Sequence, residues 1–328
     1  MSTSSWSVIG HDWAVANLDR AVHEQRPAHA YLISGPAHVG KTTLARALSL
    51  ALNCTSADRP CGACRACGLM TADKHPDVQF IAPEGRSLKI DQVRALQHDL
   101  ALSPYEGRYR VAIFDQFETA TIEAQNALLK TLEEPPAYAV LIVLAADSEL
   151  LLPTIVSRCQ QIALRPLTLA QVREALMTRW QVARDQADLV AHLSGGRLGW
   201  AVTAAADQSI LEARVIALDD LTQMLKADRV ARFAYAEMMT RKDDRTRATL
   251  DLWRTWWRDV LLAASGSAAE LVNLDRVDQI RALAQHVTVA QATAAAEACG
   301  RALWQLDRNA TARLVVEVLL LDLPVIKT

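Results

Sequence analysis

The segment Gly35-Pro36-Ala37-His38-Val39-Gly40-Lys41-Thr42 fits G-x-x-x-x-G-K-[ST], and a short apolar run precedes it. Glycines at the two fixed positions let backbone N–H groups turn toward phosphate oxygens, and the helix that follows adds positive potential at its N-terminus. Lys41 neutralises β and γ phosphate charge, and Thr42, with Thr43 beside it, offers a hydroxyl to Mg²⁺. A magnesium-organising acid should end a neighbouring strand, as Asp115 does after Val111-Ala112-Ile113-Phe114. The next position, where such sites place a water-activating Glu, is Gln116, whose neutral amide cannot accept a proton. Glu118 is two residues further on and is expected to point elsewhere. ATP and Mg²⁺ binding without brisk hydrolysis is the expectation.

The second cluster is Cys54-x6-Cys61-x2-Cys64-x2-Cys67, with Gly62 and Gly68 permitting tight turns. Four thiolates at this spacing suit a tetrahedral structural zinc, and an iron–sulfur cluster is the alternative. The nearby basic residues are only Arg59, Arg65 and Lys74, so a knot stabilising an insertion is preferred to a DNA-contacting finger. Cys159 and Cys299 stand apart and read as buried, inert thiols. The eight histidines form no ligand spacing; His11 is expected to border an adenine pocket, and His38 lies within the phosphate loop.

These groups need a scaffold. A chain of 328 residues, half of them apolar, predicts two or three domains with sizeable cores. A net charge of -2 does not make the electrostatic footprint of a protein that grips DNA phosphates by itself. The apolar run Leu314 to Ile326 is broken by Glu317 and Asp322 and is too short to span a bilayer. Met1 to Trp6 lacks the order of a signal peptide, and a cytoplasmic chain with no membrane partner is expected.

Strands are predicted at Ala30 to Ser34, Val78 to Ala82, Arg110 to Asp115, Ala139 to Ala145 and Gln160 to Leu164, alternating with helical patterns as in a parallel α/β sheet. Ile90, Val93, Leu96 and Leu100 share one helical face, as do Ala127, Leu128 and Leu132 before Pro135-Pro136 ends the helix. The expected domains are residues 1–166, carrying the cysteine module at about 54–67; a small helical domain at 167–206; and a larger helical one at 207–328. Trp253, Trp256 and Trp257 fall on one face of a helix in the last domain and read as core or inter-subunit packing.

With these features goes the run Asn126-Ala127-Leu128-Leu129-Lys130-Thr131-Leu132-Glu133-Glu134-Pro135-Pro136, followed by Ser157-Arg158-Cys159. Together the motifs, spanning about Ile9 to Arg197, resemble the AAA+ clamp-loader family of bacterial DNA polymerase III. The resemblance implies an α/β P-loop AAA+ module with a four-cysteine zinc insertion, a small helical lid and an all-α collar that joins five subunits in a ring. It implies tau or gamma motor subunits and a delta subunit as partners, with the sliding clamp and primed DNA engaged through the complex. Arg158 would be an arginine finger reaching an adjacent subunit's ATP site, where its planar fork suits a γ-phosphate.

Three departures favour a stator over a motor: Gln116; the strand end Leu144-Ala145-Ala146, which lacks a γ-phosphate-sensing Thr or Asn; and Gly199, near Arg197, where motors carry a sensing arginine. The intact Lys41, Thr42 and Asp115 leave ATP binding open. The alternatives are a short ATP-hydrolysing motor and a zinc-dependent DNA-binding regulator with a vestigial phosphate loop.

Overall fold

Short β-branched and aliphatic runs separated by amphipathic segments bury both faces of a sheet only if helices cover each side. In this computed structural model, which describes residues 6–85, 87–241, 243–308 and 310–326, the first part of the chain does so. Residues 1–5 of the segment read above for a signal peptide lie outside the described residues. The strands are β1 (Ala30–Ser34), β2 (Val78–Ile81), β3 (Arg110–Phe114), β4 (Ala139–Ala145) and β5 (Gln160–Ala163). They form one sheet in the order β2-β3-β4-β1-β5, and every pairing is parallel.

Successive side chains on a strand point to opposite faces, and the core divides accordingly. Tyr31, Ile33, Val140, Ile142 and Leu144 meet Leu44, Leu48 and Leu52 of α2 (Lys41–Asn53) and Leu18 and Val22 of α1 (Asp12–His23). Ala30, Leu32, Leu141 and Val143 enter the other core, with Val93 and Leu96 of α4 (Ile90–Leu100), Leu128 and Leu132 of α5 (Ile122–Glu133) and Ile155 of α6 (Pro153–Val156). Between α2 and β2 lies α3 (Arg65–Thr71). Thr121 Oγ1 caps α5 by accepting from the Ala124 N–H at 3.2 Å.

The loop entering β3 is held by two buried side chains. Asp77, 2% exposed, accepts from the backbone N–H groups of Tyr105, Glu106 and Gly107 at 2.6, 2.9 and 2.7 Å. Asn53 Oδ1 accepts from the N–H groups of Arg108 and Tyr109, both at 3.0 Å, and its amide donates to the Tyr109 carbonyl. Burial acts to raise the Asp77 carboxyl, but the three N–H donors and Arg110 outweigh it and hold the group below its ordinary value.

The chain divides into two compact units, residues 1–167 with 197–199, and residues 168–196 with 200–328. The second is helical. It contains α7 (Leu169–Arg179), α8 (Arg184–Ser194), most of α9 (Leu198–Ala206), α10 (Gln208–Met224), α11 (Arg229–Thr240), α12 (Asp243–Ala264), α13 (Val277–Ala284), α14 (Val289–Asp307) and α15 (Ala312–Asp322). Trp253, Trp256 and Trp257 of α12 are fully buried. Ala292, Ala295, Ala298 and Ala302 of α14 enter the same core, small residues that let its backbone approach the indoles. The Trp253 indole N–H donates to the Ala217 carbonyl at 2.9 Å, and its ring stacks on Tyr235.

Polar groups also enter this core as a satisfied network. Arg214 binds both carboxylate oxygens of Asp275, at 2.6 and 3.0 Å, and donates to Asn273 Oδ1. Asn273 in turn donates its N–H and its amide to buried Asp259, both at 2.8 Å. Arg232 on α11 caps two helix ends, donating to Met224 O at 2.9 Å and to the carbonyls of Leu320, Leu323 and Pro324.

Replacing Asp77 with Asn should lower stability by about 2 kcal/mol, the worth of hydrogen bonds to a buried charge. The folded value of Asp77 lies below its unfolded value, so its contribution is present above about pH 4 and is lost as pH falls through the folded value. Thermal midpoints measured from pH 7 to pH 3 should therefore fall less steeply for Asp77→Asn than for the native chain.

Candidate phosphate and metal sites

β1 lies between β4 and β5, the point where the strand order reverses, and such sheets bind ligands beyond the carboxyl ends of strands at that point. The loop Gly35 to Gly40 leaves β1 there and runs into the N-terminus of α2. Gly35 has φ +143°, and a Cβ would come within 2.5 Å of the Leu164 carbonyl oxygen. Gly40, at φ +111°, caps α2 in a conformation that a side chain would strain. Lys41 Nζ donates to the carbonyls of Gly35 and Pro36 at 2.6 and 2.9 Å, so the ammonium is folded against its own loop. Thr42 is half-buried and Thr43 exposed in the first turn. His11 contacts the Val39 carbonyl at 3.1 Å, placing it beside the loop.

Asp115 follows β3, its N–H donating to the Ile81 carbonyl at 2.8 Å. The chain then turns back. Gln116 adopts φ +47° with an exposed side chain, and a 3-10 turn spans Phe117–Thr119. Buried Phe117 anchors that turn against Phe114, the ring centroids 5.1 Å apart. Burial pushes the Lys41 ammonium below its ordinary value, and the charge opposing that shift comes from Glu118 ahead of Asp115.

The strand end Ala145-Ala146 offers only methyl groups beside the loop. The Gly199 N–H donates to the His38 carbonyl at 2.9 Å, and a Cβ on Gly199 would lie 3.0 Å from that oxygen. This backbone contact leaves little room for an arginine at 199 in the same arrangement.

Arg158 lies at the other end of the sheet. Gln160 pairs with Tyr31 at the start of β1, whereas Gly35 follows its end. At about 3.3 Å per residue, roughly 13 Å of strand separate the two levels. Arg158 Nη1 donates to the Thr154 carbonyl at 2.9 Å and Nη2 to Glu133 Oε1 at 2.8 Å. Sequence reasoning missed Glu133 as a partner of Arg158. Cys159 is buried, which pushes its thiol up to about 11 and leaves it inert as a nucleophile.

The four clustered cysteines converge as their spacing implies. Cys54 caps the C-terminus of α2 and Cys64 the N-terminus of α3. Their sulfurs all lie within 4.8 Å of one another, with Cys54–Cys64 and Cys61–Cys67 at 3.9 Å and Cys64–Cys67 at 3.4 Å. Four sulfurs about 2.3 Å from one tetrahedral ion stand about 3.8 Å apart, so the donor set fits one metal ion. Backbone N–H groups of Cys61 and Cys64 approach the sulfurs of Cys54 and Cys61 at 3.4 and 3.3 Å, as donors that favour thiolate. The N–H groups of Ala63 and then Cys64 hold the Cys61 thiol below its ordinary value.

Residues 10–168 match the family described as DNA polymerase III, delta subunit. The chain is 28% identical over 311 residues to DNA polymerase III subunit delta' of Bacillus subtilis, covering 93% of this chain and 94% of that one. It is 36% identical over 171 residues to subunit tau of Salmonella typhimurium, covering 52% of this chain and 26% of the relative. Subunit gamma/tau of Mycobacterium bovis is 31% identical over 344 residues, covering 95% of this chain and 59% of the relative. The chain thus spans about a quarter and three fifths of those two relatives, and nearly all of the delta' relative. A gamma subunit-related protein of Thermotoga maritima superposes with a TM-score of 0.44 at 18% identity, covering 93% of this chain and 97% of that one. On its sequence matches, this chain is similar over nearly all of its length to subunits delta' and gamma/tau of DNA polymerase III.

Proposed function

We propose that the chain is a stator-type clamp-loader subunit that helps load a sliding clamp onto primed DNA. The observation that carries this reading is the separation of two half-sites on one sheet. A phosphate loop without a water-activating residue at Gln116 lies at one end, and Arg158 lies at the other, too far away to serve that loop. The near full-length likeness to a delta' subunit supports the same reading. In it, residues 1–166 form the AAA+ module, 167–206 the lid and 207–328 the collar that joins tau or gamma subunits and a delta subunit in a five-membered cytoplasmic ring. Clamp and DNA are engaged by the complex.

Within this role Gly35, Gly40, Lys41, Thr42, Thr43 and Asp115 bind ATP with Mg²⁺, while Arg158 supports γ-phosphate charge in a neighbour. Cys54, Cys61, Cys64 and Cys67 hold a structural zinc that fastens the end of the phosphate-loop helix to α3. The second reading is an ATP-hydrolysing motor in which Gln116 is tolerated, favoured by the likeness to a gamma/tau subunit.

Elemental analysis of the purified chain should find about one zinc per molecule, and Cys64→Ser should lose it with a drop in thermal midpoint. A folded preparation without metal excludes the zinc assignment.

Titration calorimetry with ATP and Mg²⁺ should show binding that Lys41→Ala weakens, since phosphate charge is then unneutralised. Absence of heat from the native chain would mean that the loop is kept for structural reasons.

In the assembled loader, Arg158→Ala should sharply cut clamp-stimulated and DNA-stimulated hydrolysis, arginine fingers contributing about 10³-fold or more, while Lys41→Ala leaves most turnover intact. The reverse pattern moves the chain to the motor reading.

A further inference from the structure

We infer that Glu133 is a positioning residue for Arg158, holding the guanidinium in the pose from which it reaches a neighbouring subunit's nucleotide. The inference rests on the reading of Arg158 as a group acting in trans.

Two anchors fix the guanidinium, the Thr154 carbonyl on Nη1 at 2.9 Å and the Glu133 carboxylate on Nη2 at 2.8 Å. They use one N–H of each terminal nitrogen and leave the Nε–H and the second N–H of each Nη for a phosphoryl group, a fork still able to bind two oxygens. Both anchors belong to well-held backbone. Glu133 is the last residue of α5, directly before Glu134-Pro135-Pro136. Gln97 of α4 grips that helix, donating to the Ala127 carbonyl at 2.7 Å and to Thr131 Oγ1 at 2.9 Å. Thr154 is on α6, and the Leu152 N–H at its start donates to Gln125 Oε1 of α5 at 3.0 Å. The two helix segments that carry the carboxylate and the carbonyl are therefore joined to each other before any ligand arrives.

The pair does little for the fold. Its side chains are 36% and 52% exposed, and ion pairs at that exposure contribute little to stability. What remains is placement. An untethered arginine samples many rotamers, and a charge-stabilising group displaced by about 1 Å from its pose can cost 10²-fold in rate. Lysine at 158 could meet Glu133 but would lack the remaining fork.

The test uses the complete loader reconstituted with clamp and primed DNA. Glu133→Gln should lower kcat for ATP roughly tenfold with KM unchanged, because the lost effect falls on transition-state charge. Glu133→Asp, which keeps the carboxylate, should recover most of the rate. The isolated Glu133→Gln chain should melt at the native temperature, and adding Glu133→Gln to Arg158→Ala should bring no further loss, since the two residues act as one unit. If Arg158→Ala is slow while Glu133→Gln turns over at or above the native rate, Glu133 does not position the arginine and the trans reading survives alone. If Arg158→Ala itself turns over normally, both fall together.

Discussion

A sheet whose strands all run one way has two chemically different ends, and this chain is built on that asymmetry. Parallel pairing requires each connection to return across the sheet, so helices cover both faces and the strands are buried throughout. β1 and β4, fully buried along their length, carry the constraint. Their register fixes where Gly35 leaves the sheet and, through the pairing of Tyr31 with Gln160, where Arg158 precedes it. A glycine-bounded loop at one end and a guanidinium at the other are consequences of strand direction. Moving either by one residue would turn a strand's core face toward the wrong helix layer.

Around this axis the side chains divide their work by burial. Asp77 and Asn53 satisfy the backbone of a loop that would otherwise leave N–H groups unpaired beneath the sheet edge. Cys54 caps the C-terminus of α2, so the helix that follows the Gly35–Gly40 loop ends in the cysteine cluster. In the helical unit, Arg214, Asn273 and Asp259 form a polar network within an otherwise apolar core, each group answering another. Trp256 and Trp257 are the exception. Their indole N–H groups are buried with no hydrogen-bond partner among the described residues, a cost offset by the apolar area that the rings remove from water.

Strands, phosphate loop and cysteine cluster were legible in the sequence because each is a local pattern. Five apolar runs stand where the strands are, and the boundaries differ by a residue at the ends of β2, β3 and β5, where side chains give way to turns. The burial of Trp253, Trp256 and Trp257 followed from helical spacing alone. What was not legible depends on a backbone choice or on distance along the chain. Gln116 turns the chain in a left-handed conformation, and no residue type announces it. Glu133 and Arg158 are 25 positions apart, and Arg214 and Asp275 are 61, so only the fold brings these pairs together. The chain also groups its helices from 168 onward into one compact unit, apart from 197–199, a result of packing that composition does not reveal.

The placement of tryptophans has an optical consequence. Six of the eight, Trp180, Trp200, Trp253, Trp256, Trp257 and Trp304, belong to the helical unit, and only Trp6 and Trp13 to the sheet unit. The three indoles of α12 are fully buried, and emission from indoles shielded from water is expected toward the blue. Intrinsic fluorescence of this chain is therefore chiefly a gauge of the helical unit. A denaturation curve followed by emission tracks the loss of that unit, while events at the phosphate loop or the cysteines need a different signal, such as an absorbance probe for released metal or a labelled nucleotide.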